Sequence, residues 1–336
     1  MLRRNCMGGL MRPIKSMLLL FAIGIAAASS SAFGQQYPSR PITIIVPFSA
    51  GGPTDTLARI LAQRMSVSLR QNVVIENTTG AAGTIAVARA VRSAPDGYSL
   101  SIGHVGTHVI NGAIYPLPYD LLTALDPIAM VANNPQVLVG KKDIPAKRLP
   151  ELIAWIKERP AKVLVAHAGV GSPSHISGVY FEKVLGVPVV MIPFRGAAPA
   201  LQALMGGQVD LLFDQASNSL PQIRGKTITA YAVTAKDKLA AVPEIPTVDE
   251  AGLPDFYMSV WHGLWAPKGT PPNVIARLNA AVIDALADSN VRARLADLGQ
   301  DIPSPEQQTP NGLAAYQKAE IEKWWPVIKA ANIKAE

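Results

Sequence analysis

Cysteine is almost absent from the sequence: the 336 residues include one, Cys6, and it precedes the first apolar run. The chain after residue 34 therefore offers no disulfide, no thiolate ligand for a metal and no cysteine nucleophile. A lipid-modified cysteine would have to follow the apolar run, so we expect no lipid at Cys6. Stability must come from an ordinary hydrophobic core, for which the 49% of hydrophobic residues provide the material.

Charged and aromatic residues are also scarce, at 16% and 6% of the chain. Together with the high hydrophobic share, this composition excludes a disordered tail and a charged coiled coil. The 26 glycines and 28 prolines are spread along the chain and predict many short elements joined by tight turns. The length predicts about two domains.

An excess of positive charge is present, but it is concentrated at the start of the chain. Residues 1–34 hold Arg3, Arg4, Arg12 and Lys15 and no acidic residue. Without these four side chains the formal net charge falls from +7 to +3. No run rich in lysine or arginine remains that could follow a phosphate backbone, so we expect no nucleic-acid partner.

Residues 1–34 have the three parts of a secretory signal peptide. A positive segment ends at Lys15, an apolar segment covers residues 17–28, and small residues up to Gly34 allow cleavage before Gln35. The alternative is an uncleaved membrane anchor, but the apolar segment is shorter than the ~20 residues that span a bilayer. We therefore expect an exported soluble protein that is cleaved near Gly34.

Strand and helix patterns alternate after the signal peptide. The β-branched run at 42–46 predicts a buried strand, and apolar residues at helical spacing up to Leu69 predict a helix that begins at Pro53. The next patterns predict strands at 73–75 and 99–102 and a helix at 84–91. Strand–helix–strand alternation is typical of an α/β domain with a parallel sheet.

A similar alternation restarts in the middle of the chain and predicts a second α/β lobe. Its helices are predicted at 149–158 and 198–205, with one ending at Leu185, and its strands at 163–166, 187–192, 209–213 and 228–233. Residues 241–254 are rich in proline and predict a connector. Amphipathic helices that would cover a sheet are predicted at 272–288, 291–298 and 312–331.

Two glycine-rich loops carry the first functional signal. Loop 1, residues 47–55 (PFSAGGPTD), joins a predicted strand to a helix whose unpaired first-turn amides and dipole favour an anion. Gly51 and Gly52 would let a ligand approach the backbone closely. The alternative is a tight strand–helix turn without a ligand.

Loop 2, residues 169–175 (GVGSPSH), repeats this chemistry in the second lobe. Ser172 and Ser174 offer hydroxyl groups beside the helix start, although Ser172 would equally serve as an N-cap. Loop 2 lacks the third glycine of a dinucleotide-binding loop and the lysine of a phosphate-binding loop. We therefore expect no nucleotide and no other cofactor.

Both loops belong to a longer series of motifs. Residues 37–42 (YPSRPI) and 46–55 (VPFSAGGPTD) resemble the opening of the tripartite tricarboxylate transporter receptors, also called the Bug family of periplasmic solute receptors. The resemblance continues in the same order through residues 76–77, 80–83, 95–98, 169–175, 193–196, 206–210, 232–234, 246–252 and 266–271. It covers essentially the whole chain after the signal peptide.

The resemblance implies an α/β fold of the type II periplasmic-binding (Venus flytrap) class, with two lobes that are each a mainly parallel sheet flanked by helices. Lobe 1 would comprise residues 35–139 and 259–336, and lobe 2 residues 140–258. A small carboxylate, such as an organic acid, a dicarboxylate or an amino-acid-like solute, would bind between loops 1 and 2, largely through backbone amides and waters. We expect a periplasmic monomer that delivers this ligand to integral membrane transporter subunits of the tripartite tricarboxylate type, without catalysis.

The ligand-binding residues that we predict are Phe48, Ser49, Ala50, Gly51, Gly52, Asp55, Thr107, Gly171, Ser172, Ser174, His175, Arg195 and Asp214. Arg195 would pair with a carboxylate through two parallel hydrogen bonds, or else form a structural ion pair. Asp55 has the alternative of an acid that favours the first turn of its helix. For Thr107 and Asp214, which follow or end predicted strands, the alternative is a structural role.

Other functions have weaker signals. His104 and His108 are four residues apart, but Gly106 between them and the lack of a third ligand disfavour a metal site. A hydrolase would use His175 with a serine of loop 2, but no G-x-S-x-G motif is present. A co-receptor that senses the ligand for a membrane histidine kinase would have the same fold, so that alternative stays open.

Three positions near the predicted cleft depart from the pattern of the family. These are His167, the pair Thr78-Thr79 and Gly112, where the family commonly has a small residue, an arginine and proline pair, and a proline. Because backbone amides recognise a carboxylate without selecting the rest of the molecule, the resemblance does not identify the ligand.

Overall fold

Nine strands form one mixed sheet in the part of the chain that this computed structural model describes, residues 37–330 and 332–334. The predicted signal peptide lies outside the described residues. The strands are β1 (Ile42–Val46), β2 (Val73–Asn77), β3 (Ser99–His104), β4 (Leu125–Lys141), β5 (Leu164–His167), β6 (Val190–Pro193), β7 (Leu211–Gln215), β8 (Ile228–Val233) and β9 (Ser259–Pro267).

Helices cover the sheet, as the amphipathic patterns predict. A 3₁₀ turn at Ala81–Gly83 and a π-helical turn at Gly106–Ile110 accompany them. None of the described helices is both long enough and apolar enough to cross a membrane. They are α1 (Pro53–Leu69), α2 (Thr84–Val91), α3 (Asn111–Ile114), α4 (Leu149–Lys157), α5 (Pro173–Leu185), α6 (Ala197–Met205), α7 (Ala216–Arg224), α8 (Pro272–Ala287), α9 (Ser289–Asp297) and α10 (Pro310–Ala330).

Strand β4 joins the two halves of the sheet. Its residues from Leu125 to Pro135 pair antiparallel with β9, and its residues from Gln136 onward pair antiparallel with β7 and β8. The first half has the order β2-β1-β3-β9-β4, and the second continues from β4 through β7 and β5 to β6, with β8 on the other side of β4. In the first half, β1 pairs parallel with β2 and β3, and in the second half β5 pairs parallel with β6 and β7.

The loops of interest follow the carboxyl ends of these parallel strands. Loop 1 follows β1 and leads into α1, and loop 2 follows β5 and leads into α5. The run from Ile42 to Val46 is almost fully buried, because β-branched side chains fill the space beneath the helices. In open α/β sheets ligands bind at this edge, so the topology places both loops where a cleft is expected.

One cluster of buried side chains extends through both halves of the sheet. In the first half, Trp261 and Trp265 are each 1% exposed, and Trp265 stacks on His108 with ring centroids 3.8 Å apart. In the second half, Phe181 and Phe256 pack against Phe213. Phe213 also lines the cleft described below, so the core directly supports its wall.

Candidate functional site

A narrow cleft, with about 390 Å³ of empty space including its open mouth, lies where the two halves of the sheet meet. The first half contributes Phe48, Gly52, Pro53, Thr54 and His104, strand β4 contributes Gln136, and the second half contributes Ala168, Ser172, Pro173, Ser174, Ala197, Phe213, Asp214 and Gln215.

Loop 1 turns sharply before it enters α1. Gly51 has a φ of +80°, a left-handed conformation that favours glycine. Gly52, the N-cap, is extended at φ −79° and ψ 171°, and Pro53 is the first helical residue. A Cβ at Gly52 would lie 3.4 Å from the carbonyl oxygen of Ser49 and 4.0 Å from the amide nitrogen of Ala198 in α6. Loop 1 therefore lies directly against the second half.

Asp55 stabilises this conformation of loop 1 through hydrogen bonds to its side chain. Its side chain is 2% exposed, and Oδ2 accepts hydrogen bonds from the Gly51 amide and from Arg59 Nε, both at 2.9 Å. Oδ1 accepts from Arg59 at 3.0 Å and from Asn77 Nδ2 at 2.9 Å. The same Asn77 amide group donates to the carbonyl oxygen of Phe48 at 2.9 Å. Loop 1 is thus tied to β2 and α1.

The pKa of Asp55 reflects this set of donors. Burial by itself would raise the pKa, but the hydrogen bonds from Arg59, the Gly51 amide and Asn77 outweigh it and lower the pKa below its ordinary value. Asp55 is therefore ionised at neutral pH, with both oxygens occupied. This arrangement favours the structural alternative for Asp55, and a direct ligand contact stays a prediction.

Loop 2 has a similar internal network. Ser172 caps α5, because its Oγ accepts a hydrogen bond from the His175 amide at 3.3 Å. Ser174 Oγ accepts from the Ala168 amide at 2.9 Å and lies 3.1 Å from Ser172 Oγ. Gly171 has a φ of +86°, and a Cβ there would lie 2.8 Å from Asn111 Oδ1 of the first half. Both serines line the cleft within a fixed turn.

Four helices begin at the cleft wall, namely α1, α5, α6 and α7. Pro53, Pro173 and Ala197 are the first residues of three of them, and Gln215 precedes the fourth. Helix N-termini carry partial positive charge and unpaired amides, so the cleft favours an anion. Among the described residues, no lysine or arginine lines it.

Arg195 does not line the cleft. Its side chain is exposed, and within the described residues it has no hydrogen bond or ion pair. Its neighbour Gly196 lies against loop 1, because a Cβ there would lie 2.7 Å from Ser49 Oγ. Arg195 thus stands at the rim near loop 1, and its predicted contact with a carboxylate stays a prediction.

Asp214 and Gln215 contribute buried acceptors to the cleft wall. Asp214 is 2% exposed, and its Oδ2 accepts from Ser219 Oγ at 2.5 Å and Asn218 Nδ2 at 2.7 Å. Burial raises the pKa of Asp214 to about 7 against the lowering effect of these hydrogen bonds. Gln215 is 7% exposed, and its Oε1 has no hydrogen-bond partner among the described residues.

The histidines near the cleft are buried and neutral. His104 lines the cleft and stacks on Phe48 with centroids 5.0 Å apart, and His262 Nε2 lies 3.1 Å from Thr54 Oγ1. Burial lowers the pKa of His104 well below its usual value and that of His262 to about 3. Among residues 37–330 and 332–334, no group of three or more histidine, aspartate, glutamate or cysteine side chains is placed to hold a metal ion.

Thr107 closes the turn after β3. Its Oγ accepts from the His104 amide at 3.0 Å and lies 3.1 Å from the His104 carbonyl oxygen and 2.9 Å from His108 Nδ1. Thr107 is fully buried and does not line the cleft. These contacts match the structural alternative for Thr107.

The serines and His175 do not form the pair that a hydrolase needs. His175 Nδ1 accepts from the Gly171 amide at 3.3 Å, and neither Ser172 nor Ser174 has a hydrogen bond to the His175 ring in the described structure. Burial also lowers the pKa of His175 to about 4, which makes it a weak base at neutral pH. The geometry therefore gives no support to the hydrolase alternative.

The structure brings some predicted residues together and separates others. Phe48, Gly52, Ser172, Ser174 and Asp214 line one cleft. The others lie around it, namely Ser49, Ala50, Gly51, Asp55, Thr107, Gly171, His175 and Arg195. Sequence reasoning missed His104, Gln136, Phe213 and Gln215 as wall residues. Gln136 lies in the unpredicted β4, where its Oε1 accepts a hydrogen bond from Ser177 Oγ.

Comparison with known proteins gives consistent matches over most of the chain. The family model for the tripartite tricarboxylate transporter family receptor matches residues 57–333. A UPF0065 protein of Agrobacterium vitis is 40% identical over 297 residues, which are 88% of this chain and 86% of that protein. BugT of Bordetella pertussis is 35% identical over 319 residues, 94% of this chain and 96% of its own.

Solved structures show the same architecture. BugD, a periplasmic binding protein, matches with a TM-score of 0.86 and 38% identity over 89% of this chain and 100% of its own. MatC of Rhodopseudomonas palustris with bound malate matches with a TM-score of 0.83 and 43% identity, over 87% of this chain and 100% of its own. An R. palustris protein with adipate matches with a TM-score of 0.85 and 32% identity, over 89% of this chain and 100% of its own. The predicted two-lobed α/β fold is confirmed.

Proposed function

The chain belongs to the tripartite tricarboxylate transporter receptor family, which consists of solute-binding receptors, and on that premise we propose that it captures a small carboxylate between its two lobes. The observation that carries this proposal is the convergence of four helix N-termini on one cleft, which no lysine or arginine of the described part of the chain lines. Backbone amides can neutralise a carboxylate there without a basic side chain. Two structural relatives hold malate and adipate, both dicarboxylates.

The contacts follow from the groups that face the cleft. Pro53 and Pro173 have no N–H group, so the amides of Thr54 in α1 and Ser174 in α5 bind one carboxylate group, assisted by the hydroxyl groups of Ser172 and Ser174. Gln136 adds an amide donor, since its Oε1 is engaged by Ser177 and its Nε2 is left for the ligand. Asp55 keeps loop 1 in place, and Arg195 contributes at the rim.

The proposed role in ligand uptake depends on closure of the two lobes around the ligand and on export of the protein. Lobe 1 comprises residues 35–139 and 259–336, and lobe 2 comprises residues 140–258. Strand β4 and the segment before β9 connect the two halves, and loop 1 already touches α6 across the cleft. The protein acts in the periplasm after cleavage near Gly34, without catalysis, and delivers its ligand to membrane subunits of a tripartite transporter.

A panel of titrations tests this function. The panel contains succinate, L-malate, adipate and L-glutamate, with the neutral diamide of succinate as the matched control for charge. We expect at least one carboxylate to bind and the diamide not to bind. A ligand at about 100 times its dissociation constant adds about 2.7 kcal/mol of stability, which a thermal melt detects. Binding of the diamide with equal affinity, or of no carboxylate, would overturn the proposal.

A further inference from the structure

Asp214 occupies an unusual position for an acidic residue, because it faces a cleft suited to anions. It lies at the end of β7, opposite Val137 of β4, and it lines the cleft while being 2% exposed. Its hydrogen-bond donors are all neutral: Ser219 and Asn218 donate to Oδ2, and the backbone amide of Gln215 also donates to the carboxylate. An ionised Asp214 would therefore share a closed cleft with the negative charge of the ligand.

The charged side chains on the surrounding elements do not compensate Asp214. Helix α6 carries no titratable side chain, and Tyr180, Glu182 and Lys183 lie in the half of α5 that is farther from the cleft. Asp301, which follows α9 in the chain, is an acid and therefore adds no positive charge. The charged side chains of β4 and α7 form ion pairs away from the cleft: Lys141–Asp210, Lys268–Asp126 and Arg224–Asp297.

The titratable groups closer to the cleft are neutral. His104 lines it, His167 ends β5, and His175 lies in the first turn of α5. Burial lowers the pKa of all three, so none supplies a positive charge at neutral pH. Tyr231 of β8 stays protonated, because burial raises its pKa to about 12. Within residues 37–330 and 332–334, Asp214 thus has no cation to stabilise its charged form.

We infer that anion binding in this cleft is coupled to the uptake of one proton by Asp214, so that the receptor holds a carboxylate together with a proton. This inference rests on the proposed function. The proton comes from bulk water and forms an O–H bond on the Asp214 carboxylate. Two like charges in one buried site disfavour each other, and protonation of one removes the repulsion. A protonated Asp214, which lines the cleft, can also donate a hydrogen bond to the ligand.

The sign of the pH dependence follows from this coupling. Burial raises the pKa of Asp214 to about 7, so the ligand-free protein carries the proton below that pH and loses it above. Below pH 7, binding needs no further proton, and affinity is constant while the ligand stays ionised. Above pH 7, Asp214 must take up a proton from water for each anion that binds, so affinity falls about tenfold per pH unit.

Calorimetric titration between pH 6 and pH 9 tests the inference with succinate, L-malate and adipate as probes. Titrations in pairs of buffers that differ in ionisation enthalpy, Bis-Tris and MES at pH 6 and Tris and HEPES at pH 8.5, count the protons taken up. We expect about one proton per ligand at pH 8.5, none at pH 6, and a dissociation constant that rises roughly 30-fold or more between pH 7 and pH 9. A constant affinity over that range with no proton uptake would overturn the inference.

The variant Asp214→Asn separates proton binding from a structural role. Asn resembles the protonated carboxyl and keeps an acceptor for Ser219 and Asn218, so we expect affinity near the wild-type value at pH 6 that no longer changes with pH. Asp297→Asn, which changes an acid outside the cleft, should keep the wild-type profile. A folded Asp214→Asn protein that retains the wild-type pH slope, or that binds at no pH, would contradict the inference.

The two proposals fail in different ways. If no carboxylate binds at any pH, the proposed function is wrong. If carboxylates bind without proton uptake, the function stands and the coupling is wrong. If Asp214→Asn does not fold, the number of protons that the wild-type protein takes up per ligand is sufficient to test the coupling.

Discussion

Gly52→Leu is expected to weaken carboxylate binding by about 100-fold or more, a loss of roughly 2.7 kcal/mol, while the protein stays folded. Gly52 is extended, so a side chain there meets no backbone strain. Its Cβ points into the gap between the Ser49 carbonyl and Ala198 of α6. A leucine side chain would fill the cleft mouth and hold the two halves apart. Isothermal titration with the best ligand of the panel measures the loss.

Gly51→Ala is the matched control for this prediction. A Cβ at Gly51 would meet nothing within 4 Å, but the φ of +80° strains any residue with a side chain. We therefore expect a loss of about 1 kcal/mol in the free energy of unfolding and less than a tenfold change in affinity. Wild-type affinity in a folded Gly52→Leu protein would show that the ligand binds elsewhere.

Asp55→Ala is expected to have the second large effect, on stability and on binding together. The substitution removes the acceptor shared by the Gly51 amide, Asn77 and Arg59, and with it the hydrogen bonds that tie loop 1 to β2 and α1. We expect the free energy of unfolding to fall by about 2–3 kcal/mol, and affinity to fall by about tenfold or more because loop 1 loses its support. Chemical denaturation and calorimetry measure the two losses.

The loss of stability should depend on pH in a defined direction. Because its donors lower the pKa of Asp55 in the folded state, the carboxylate stabilises the protein above the ordinary aspartate pKa. That contribution is lost as the pH falls through the lowered pKa, so the difference between wild type and Asp55→Ala should shrink in acid. Arg59→Ala, which removes a half-exposed partner, should cost about 1 kcal/mol or less. Equal losses from both variants would contradict the central role of Asp55.

Local patterns were sufficient to predict the elements next to the loops. The buried run at Ile42–Val46 and the helix that follows Pro53 depend on neighbouring residues, and the structure confirms both. Strand β4 was not predicted, because Pro127 and Pro135 interrupt its pattern and prolines are unusual inside central strands. The structure accommodates Pro127 by a shift of register, and Pro135 lies where β4 changes partners.

The remaining elements form because of contacts between residues that are far apart in the sequence. Helix α7 contains Pro221 and several polar residues, so nothing local predicts it, yet Leu220 is fully buried against the core of the second half. Strand β9 takes its place between β3 and β4 through contacts more than a hundred residues away. Such contacts override local propensity, and a single sequence does not reveal them.

The same distinction holds for the candidate site. Glycines followed by a helix start identified loops 1 and 2, because both signals are local. Gln136 and Gln215 reach the cleft because β4 and β7 are paired in register, which the sequence alone did not predict. For Asp55, the sequence left two alternatives open, and the partners on β2 and α1 that favour the structural one are visible only in the structure.

A crystal structure of the protein grown with the tightest-binding carboxylate of the panel shows where the ligand binds. We expect one carboxylate group between loops 1 and 2, within about 3.2 Å of first-turn amides of α1 and α5. A ligand held instead by lysine and arginine side chains, for example in the open groove that contains Lys236, Lys238 and Arg292, would contradict this expectation.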